Sequence, residues 1–287
     1  MIPMSPHETA VDLIPASAFS YEELTEAYNN TRVDYLVPMP MNASRLREYV
    51  ENYDVDMDSS VVAVDGNEIL GLGMLGVRER RAWITRLGII RSKRRQGTGW
   101  LLVAHLLDQA RQKNADYILI EVIKNNLPAH TLFLKAGFRE TRELLVLRRP
   151  PGPVKIEAPA AEIKTLGYAE ALHLIENRAS TPSWIDEKES LINAGNLAAF
   201  YAILADGSKG WLVYQNTVFQ LGRLVLQTDE GNPLNVGRAL LHHLHWVHPA
   251  QDTKTENLPN YDPHWPAFKE LGYLEVFDRI EMMLILK

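Results

Sequence analysis

Hydrophobic positions along the chain follow two rhythms that alternate. Residues 61–64 (Val-Val-Ala-Val) and 68–75 are apolar runs joined by Asp65-Gly66-Asn67, which predicts strand, turn, strand. Residues 82–90 and 117–123 read as further strands, the second a buried one. Between them, Val103, Leu106, Leu107 and Ala110 recur at i, i+3, i+4 and i+7, which predicts a helix over 99–113. Ala129, Leu132, Phe133 and Ala136 share one face of a predicted helix over 127–136, followed by a strand over 138–148. Upstream, a short strand is expected at 11–15. Helices are expected at 20–35 and 42–53, with Ser20 and Asn42 as N-caps.

The second half repeats the plan. Helices are expected at 167–178, 184–194, 235–247 and 263–271, and strands at 198–204, 210–214, 217–226, 252–257 and 273–286, with a loop over 227–234. Local echoes support an internal repeat. Arg86-Leu87 matches Arg223-Leu224. Gly99 and its helix match Gly237 and its helix. Asn126-Leu127-Pro128 matches Asn257-Leu258-Pro259, and Phe133 to Phe138 matches Phe268 to Tyr273. Pro150, Pro151, Gly152, Pro153 and Pro159 mark the boundary. The expected organisation is a first domain over 1–149, a linker over 150–160 and a second domain over 161–287. The expected class is α/β, with a mixed sheet in each copy.

Composition narrows the chemistry. The chain has no cysteine, so disulfides, thiolate metal sites and a cysteine nucleophile are excluded. The first residues lack a basic start followed by an apolar run, and no stretch approaches the length of a membrane span. A cytoplasmic protein is expected, with neither membrane nor nucleic acid as partner; a homodimer is compatible with the sequence. Residues 1–150 carry nineteen basic and nineteen acidic side chains, and 151–287 carry eleven and seventeen. Arg78, Arg80, Arg81, Arg86, Arg91, Lys93, Arg94 and Arg95 crowd into the neutral half. They form either a solvated face or an attractor for a polyanionic ligand. His242, His243, His245, His248 and His264 read as helix-face residues rather than metal ligands, and no metal is expected.

Residues 94–99, Arg-Arg-Gln-Gly-Thr-Gly, lie between a predicted strand and a predicted helix. Glycines there allow close backbone approach, and a helix N-terminus offers free N–H groups to a pyrophosphate. The loop is neither a dinucleotide fingerprint nor a phosphate loop ending in Gly-Lys-Ser/Thr. After the next strand comes Asn126-x-x-Ala129-x-x-Leu132-Phe133-x-x-x-Gly137-Phe138.

Together, Leu87-x-Ile89, Arg94-x-x-Gly97-x-Gly99 and Asn126 through Phe138 resemble the GNAT superfamily of N-acetyltransferases. The resemblance covers most of 10–150 and, weakened, 160–287, as in tandem GNAT proteins with an intact first copy and a degenerate second one. It implies acetyl-CoA as co-substrate. The backbone of Arg95, Gln96, Gly97, Thr98 and Gly99 is implied to hold the pyrophosphate, with Arg94 assisting by charge. Leu87 and Ile89 are implied to pair with the pantetheine arm, with Asn126 beside it and Phe133 near the thioester. The implied reaction is direct attack of a small-molecule amine on the thioester, with a non-catalytic acyl-CoA-binding or sensory module as the alternative. Phe133 stands where the family usually has a proton-donating tyrosine, and phenylalanine cannot donate. Water, Tyr28 or Tyr35 are the candidate replacements, Glu121 and Glu79 are candidate bases, and 28–45 is expected to roof the acceptor cleft. The acidic second half hints at a cationic acceptor. The second copy, with Asn232 to Gly237 in place of the glycine loop, is expected not to bind acyl-CoA.

Overall fold

The computed structural model describes residues 11–157 and 159–287. Residues 1–10, on which the absence of a targeting segment was read, lie outside the described residues. Contacts divide the chain into two compact units, Met1–Thr141 with Glu281–Lys287, and Arg142–Ile280.

The first unit opens with β1 (Asp12–Pro15) and helices α1 (Tyr21–Asn30) and α2 (Ala43–Asn52). Strands β2 (Val61–Asp65), β3 (Glu68–Arg78) and β4 (Arg81–Ile89) follow, then α3 (Thr98–Gln112), β5 (Tyr117–Ile123) and α4 (Leu127–Lys135). Sheet order is β1-β2-β3-β4-β5. Beyond β5 the returning chain end is tied in by Leu286 N–H, which donates to Asp116 O at 2.9 Å. Here β4 and β5 pair in parallel, whereas β1–β2, β2–β3 and β3–β4 pair antiparallel. Ser20 caps α1 reciprocally: its hydroxyl accepts Glu23 N–H at 3.2 Å while Glu23 Oε2 accepts Ser20 N–H at 2.8 Å. The helix stops at Asn30 instead of continuing to 35, because the Thr31 hydroxyl donates back to Tyr28 O at 2.7 Å and the chain turns. Leu24, Tyr28, Leu46, Val62 and Met74 fill the core beneath α1 and α2.

The second unit contains most of β6 (Arg139–Arg149), then β7 (Ala161–Leu166), α5 (Tyr168–Glu176), α6 (Lys188–Ala194), β8 (Leu197–Leu204), β9 (Lys209–Asn216) and β10 (Gln220–Glu230). It continues with α7 (Pro233–Val247), β11 (Asp252–Pro259), α8 (Trp265–Glu270) and the first part of β12 (Leu274–Ile285). Its strand order is β6-β11-β10-β9-β8-β7. β7 had no counterpart among the expected strands. The segment expected as a loop over 227–234 is instead the end of β10 and the start of α7. The proline-rich stretch 150–160 carries no helix or strand among its described residues. The two compact units divide at Thr141/Arg142, because β6 pairs antiparallel with β11 from Leu144 to Arg149.

Both units repeat a specific irregularity. Arg86 and Arg223 each adopt φ 52° at a register shift, in β4 and β10. In both, parallel pairing with the following strand stops before the bulge. The Gly99/Gly237 echo is also structural, since each glycine faces the next helix. An added Cβ would sit 3.4 Å from Leu132 Cδ2 and 2.7 Å from Ala267 Cβ. The Asn-Leu-Pro echo is corrected: Asn126 caps α4, whereas Asn257 lies inside β11 with φ 60°.

Two histidines at the end of α7 bond buried tyrosines. His248 bonds Tyr214 at 3.1 Å, and His245, fully buried, bonds Tyr273 at 2.9 Å. Burial, with help from the Arg149 charge, pushes the His245 imidazole down to about 3. Unfolding restores a pKa near 6.5, so the unfolded state takes up the proton first as pH falls. Stability contributed by neutral His245 is thus present above about pH 6.5 and is lost towards pH 3, at about 1.4 kcal/mol per pH unit. Urea denaturation from pH 7.5 to 5 should show a flatter dependence for His245→Gln than for wild type; equal slopes would refute this. No helix among the described residues is long and apolar enough to cross a membrane.

Candidate active site

Strands β4 and β5 pair in parallel from Arg81/Tyr117 to Ile84/Ile120 and then splay. The next residues, Thr85 on β4 and Glu121 on β5, stand at the apex. Tyr49 of α2 reaches Thr85, its hydroxyl 2.5 Å from Oγ1. Burial pushes the Tyr49 phenol up, with Glu121 among the charges acting on it. Arg86 stacks over the Tyr49 ring at 4.0 Å and donates to the Tyr28 hydroxyl at 3.1 Å. That contact occupies Tyr28, which is completely buried.

Beyond the bulge, Ile90 N–H donates to Leu70 O on β3. By strand alternation, residues 87 and 89 turn their backbone groups the other way, into the splay. Side chains occupy both carbonyls. Arg32 donates to Leu87 O at 2.9 Å, and Arg94 Nε donates to Ile89 O at 3.1 Å. Arg94 also grips Asp34 through two bonds of 2.8 Å and donates to Thr31 O at 3.1 Å. This guanidinium holds the Asp34 carboxyl below its usual range.

The glycine loop, residues 90–97, leads into α3 at Thr98. Its helix has no side-chain cap, because the N-cap is Gly97 with φ 88°. Trp100 and Leu101 N–H groups bond Gly97 O. The N–H groups of Arg95, Gln96, Gly97, Thr98 and Gly99 have no acceptor among the described residues. Five free amides thus stand at the positive end of a helix dipole, a geometry that suits an anion. Arg95 holds the left-handed φ of 64° and pairs with no carboxylate among the described residues. The rest of the basic stretch is less available than its density suggests. Arg78 binds Asp54, Arg80 binds Asp116 and Lys93 binds Glu68, at 2.6–2.7 Å. Beside the loop lies an open hollow of about 600 Å³ lined by Asn30, Val33, Ile90, Arg91 and Ser92.

Across the splay, Asn126 caps α4, accepting Ala129 N–H at 3.4 Å, and its Nδ2 donates to the Tyr35 hydroxyl at 3.4 Å. Asn29 closes the 30–41 loop by bonding Met41 N–H and O at 3.0 and 2.9 Å. Tyr35, Arg32, Leu87 and Asn126 thus meet at one place. Phe133 is 2% exposed and packs edge-on against Phe138, with centroids 5.6 Å apart. Glu79 does not join them. It is exposed at the β3–β4 turn, at the far end of β4 from the glycine loop. Eight steps along β4, at about 3.3 Å each, separate its strand end from Ile89. His130 is bonded to Glu140 at 2.7 Å. Sequence reasoning passed over Arg32 and Asp34, which reach the site from 55 and 60 residues away. One signal was available: Arg32 and Arg178 each stand two residues beyond their helices, α1 and α5.

An acetyltransferase (GNAT) family model matches residues 21–138, which span the splay, the loop and α4. Residues 21–138 are a GNAT domain. Solved structures extend the likeness over the whole chain. A GCN5-related N-acetyltransferase from Sphaerobacter thermophilus superposes with TM-score 0.73 at 14% identity, covering 96% of each chain. A tandem GNAT protein from the clavulanic acid biosynthesis pathway gives 0.67 at 14% identity, covering 97% of this chain and 99% of that one. The glucosamine N-acetyltransferase region of a fungal multi-domain GH3 β-N-acetylglucosaminidase gives 0.75 at 13% identity, covering 98% of this chain and 39% of that one. No curated protein sequence matches the chain. The fold is that of tandem GNAT proteins. At these identities the structural likeness speaks for the fold alone.

Proposed function

We propose that the first unit binds acetyl-CoA along the β4–β5 splay and transfers its acetyl group to the amine of a small molecule, by direct attack in a ternary complex. The observation that carries this reading is the joining of two half-sites by one strand. The five free amides of 95–99 suit a pyrophosphate, and the Leu87 and Ile89 backbone suits the amide arm leading away from it. Arg95 supplies an uncommitted charge, while the charge of Arg94 is shared with Asp34.

The transfer itself needs little from side chains. The amine nitrogen bonds to the thioester carbon, and the carbon–sulfur bond breaks. The leaving thiolate takes a proton, and the new amide nitrogen loses one. Tyr35 is the proton donor in this reading, since its hydroxyl stands beside Asn126 at the splay. Glu121, at the apex, or a water chain beside it accepts the proton from the amine. Positioning supplies much of the rate. Buried Phe133 favours the second reading, an acyl-CoA-binding module without turnover, because it offers no proton.

The second unit is read as a degenerate copy without acyl-CoA binding. Only Gly231 and Asn232 separate β10 from α7, so the loop itself is missing. Asn232 caps the helix by accepting Leu234 N–H at 2.9 Å, Pro233 has no N–H, and Asp229 and Glu230 would repel phosphate. The test is thiol release. With no cysteine in the chain, a thiol reagent reads only free coenzyme A. Amine-dependent release from acetyl-CoA is expected. Binding of acetyl-CoA without release by any amine would favour the binding module.

A further inference from the structure

Arg32 stands apart from the other cations around the splay. Arg94 and Arg91 share Asp34, and Lys93 is paired with Glu68. Arg32 pairs with no carboxylate among the described residues. Its guanidinium lies 4.1 Å from the Tyr35 ring centroid and 5.2 Å from that of Tyr28. Among the described residues its hydrogen-bond acceptor is the neutral carbonyl Leu87 O, and its Nε is buried with no partner. An unneutralised guanidinium held by a carbonyl and two ring faces is incomplete, because its planar fork matches a carboxylate through two parallel bonds.

We infer that Arg32 is the docking cation for the acceptor, and that the acceptor is an amine carrying a carboxylate, of the amino-acid class. This assignment rests on the acetyltransferase reading above. Position decides the ligand. Leu87 lies two residues nearer the apex than Ile89, so Arg32 stands about 6–7 Å further from the glycine loop than the Arg94 contact does. That is the thioester end of the arm and not the pyrophosphate end. The pantetheine amide claims Leu87 O and releases Arg32 from it, while the two rings keep the guanidinium in place. A carboxylate seated on Arg32 holds its own α-amine a few ångströms away, over the acyl carbon and next to the Tyr35 hydroxyl. The charge around this site therefore argues against the cationic acceptor that the acidic second half suggested.

The test compares α-amino acids with their own α-carboxamides, which lack the carboxylate charge; because the amide also has the more acidic α-amine, the acid-to-amide ratio is compared between wild type and variants at one pH. Thiol release from acetyl-CoA is measured across such pairs for wild type, Arg32→Gln and Arg32→Lys, and acetyl-CoA binding is measured separately by its melting shift. For the accepted side chain, wild type should prefer acid over amide by about 100-fold in kcat/KM. Arg32→Gln should shrink that ratio to a few-fold while keeping its acetyl-CoA shift, and Arg32→Lys should keep part of it. Should Arg32→Gln fail to fold, the wild-type ratio and the lysine variant decide. Equal use of acid and amide, a ratio unchanged in Arg32→Gln, or binding of acetyl-CoA with no acid accepted overturns the Arg32 assignment and leaves the acetyltransferase reading standing. Failure of wild type to bind acetyl-CoA overturns that reading and this assignment with it.

Discussion

Gly97→Trp should abolish acetyl-CoA binding while leaving the protein folded. Gly97 is the N-cap of α3 at φ 88°, in the middle of the free amides of 95–99. A Cβ there would meet nothing within 4 Å, so the substitution creates no clash and costs mainly the left-handed backbone, about 1–2 kcal/mol. The indole then lies over the amides and closes the anion seat. At a hundred times its dissociation constant, acetyl-CoA stabilises the wild type by about 2.7 kcal/mol, a melting shift of roughly 5–10 °C. The variant should show no shift and melt a few degrees lower by itself. A variant that keeps the full shift would place the phosphates somewhere other than 95–99.

Tyr35→Phe should lower kcat about 100-fold or more, the typical share of a positioned proton donor, with the acetyl-CoA melting shift unchanged. The substitution removes one oxygen, the acceptor of the Asn126 Nδ2 bond, and leaves the ring under the Arg32 guanidinium. Loss of the loop contacts is therefore not the cause of any fall in rate. The same experiment separates Tyr35 from Phe133, which is sealed in the core against Phe138 and has no proton to give. A variant within twofold of wild type would remove Tyr35 from the chemistry and leave the thiolate to be protonated by water.

Local rules carried much of this chain. The Ser20 and Asn42 caps, the apolar face of α3 and the β2–β3 turn depend on neighbours within a few residues, and each formed where its pattern places it. The glycine loop was legible for the same reason: a strand, a left-handed Gly97 and a helix start follow one another in sequence. Boundaries fared less well where distant groups intervene. α1 stops at Asn30 because the chain must turn to bring Thr31, Arg32 and Asp34 onto β4 and the loop. α7 begins at Pro233, two residues earlier than its apolar pattern alone suggested, because Asn232 caps it and Ser208 receives Asn232 N–H.

What the sequence determined by itself is the repeat and most of the order of helices and strands, β7 excepted, together with the strand, left-handed glycine and helix start around 95–99. What only the tertiary structure decided is the charge of the site. Read along the chain, eight basic residues advertise a positive surface. In three dimensions Asp54, Asp116, Glu68 and Asp34 pair with Arg78, Arg80, Lys93, Arg91 and Arg94. Among the described residues, Arg32 is a cation at the Leu87 end of the splay with no carboxylate partner, and along the chain only its place two residues beyond α1 marks it. The physical reason is range. Capping and periodicity act over one or two turns of backbone, whereas ion pairing falls off with distance through space and is indifferent to separation along the chain.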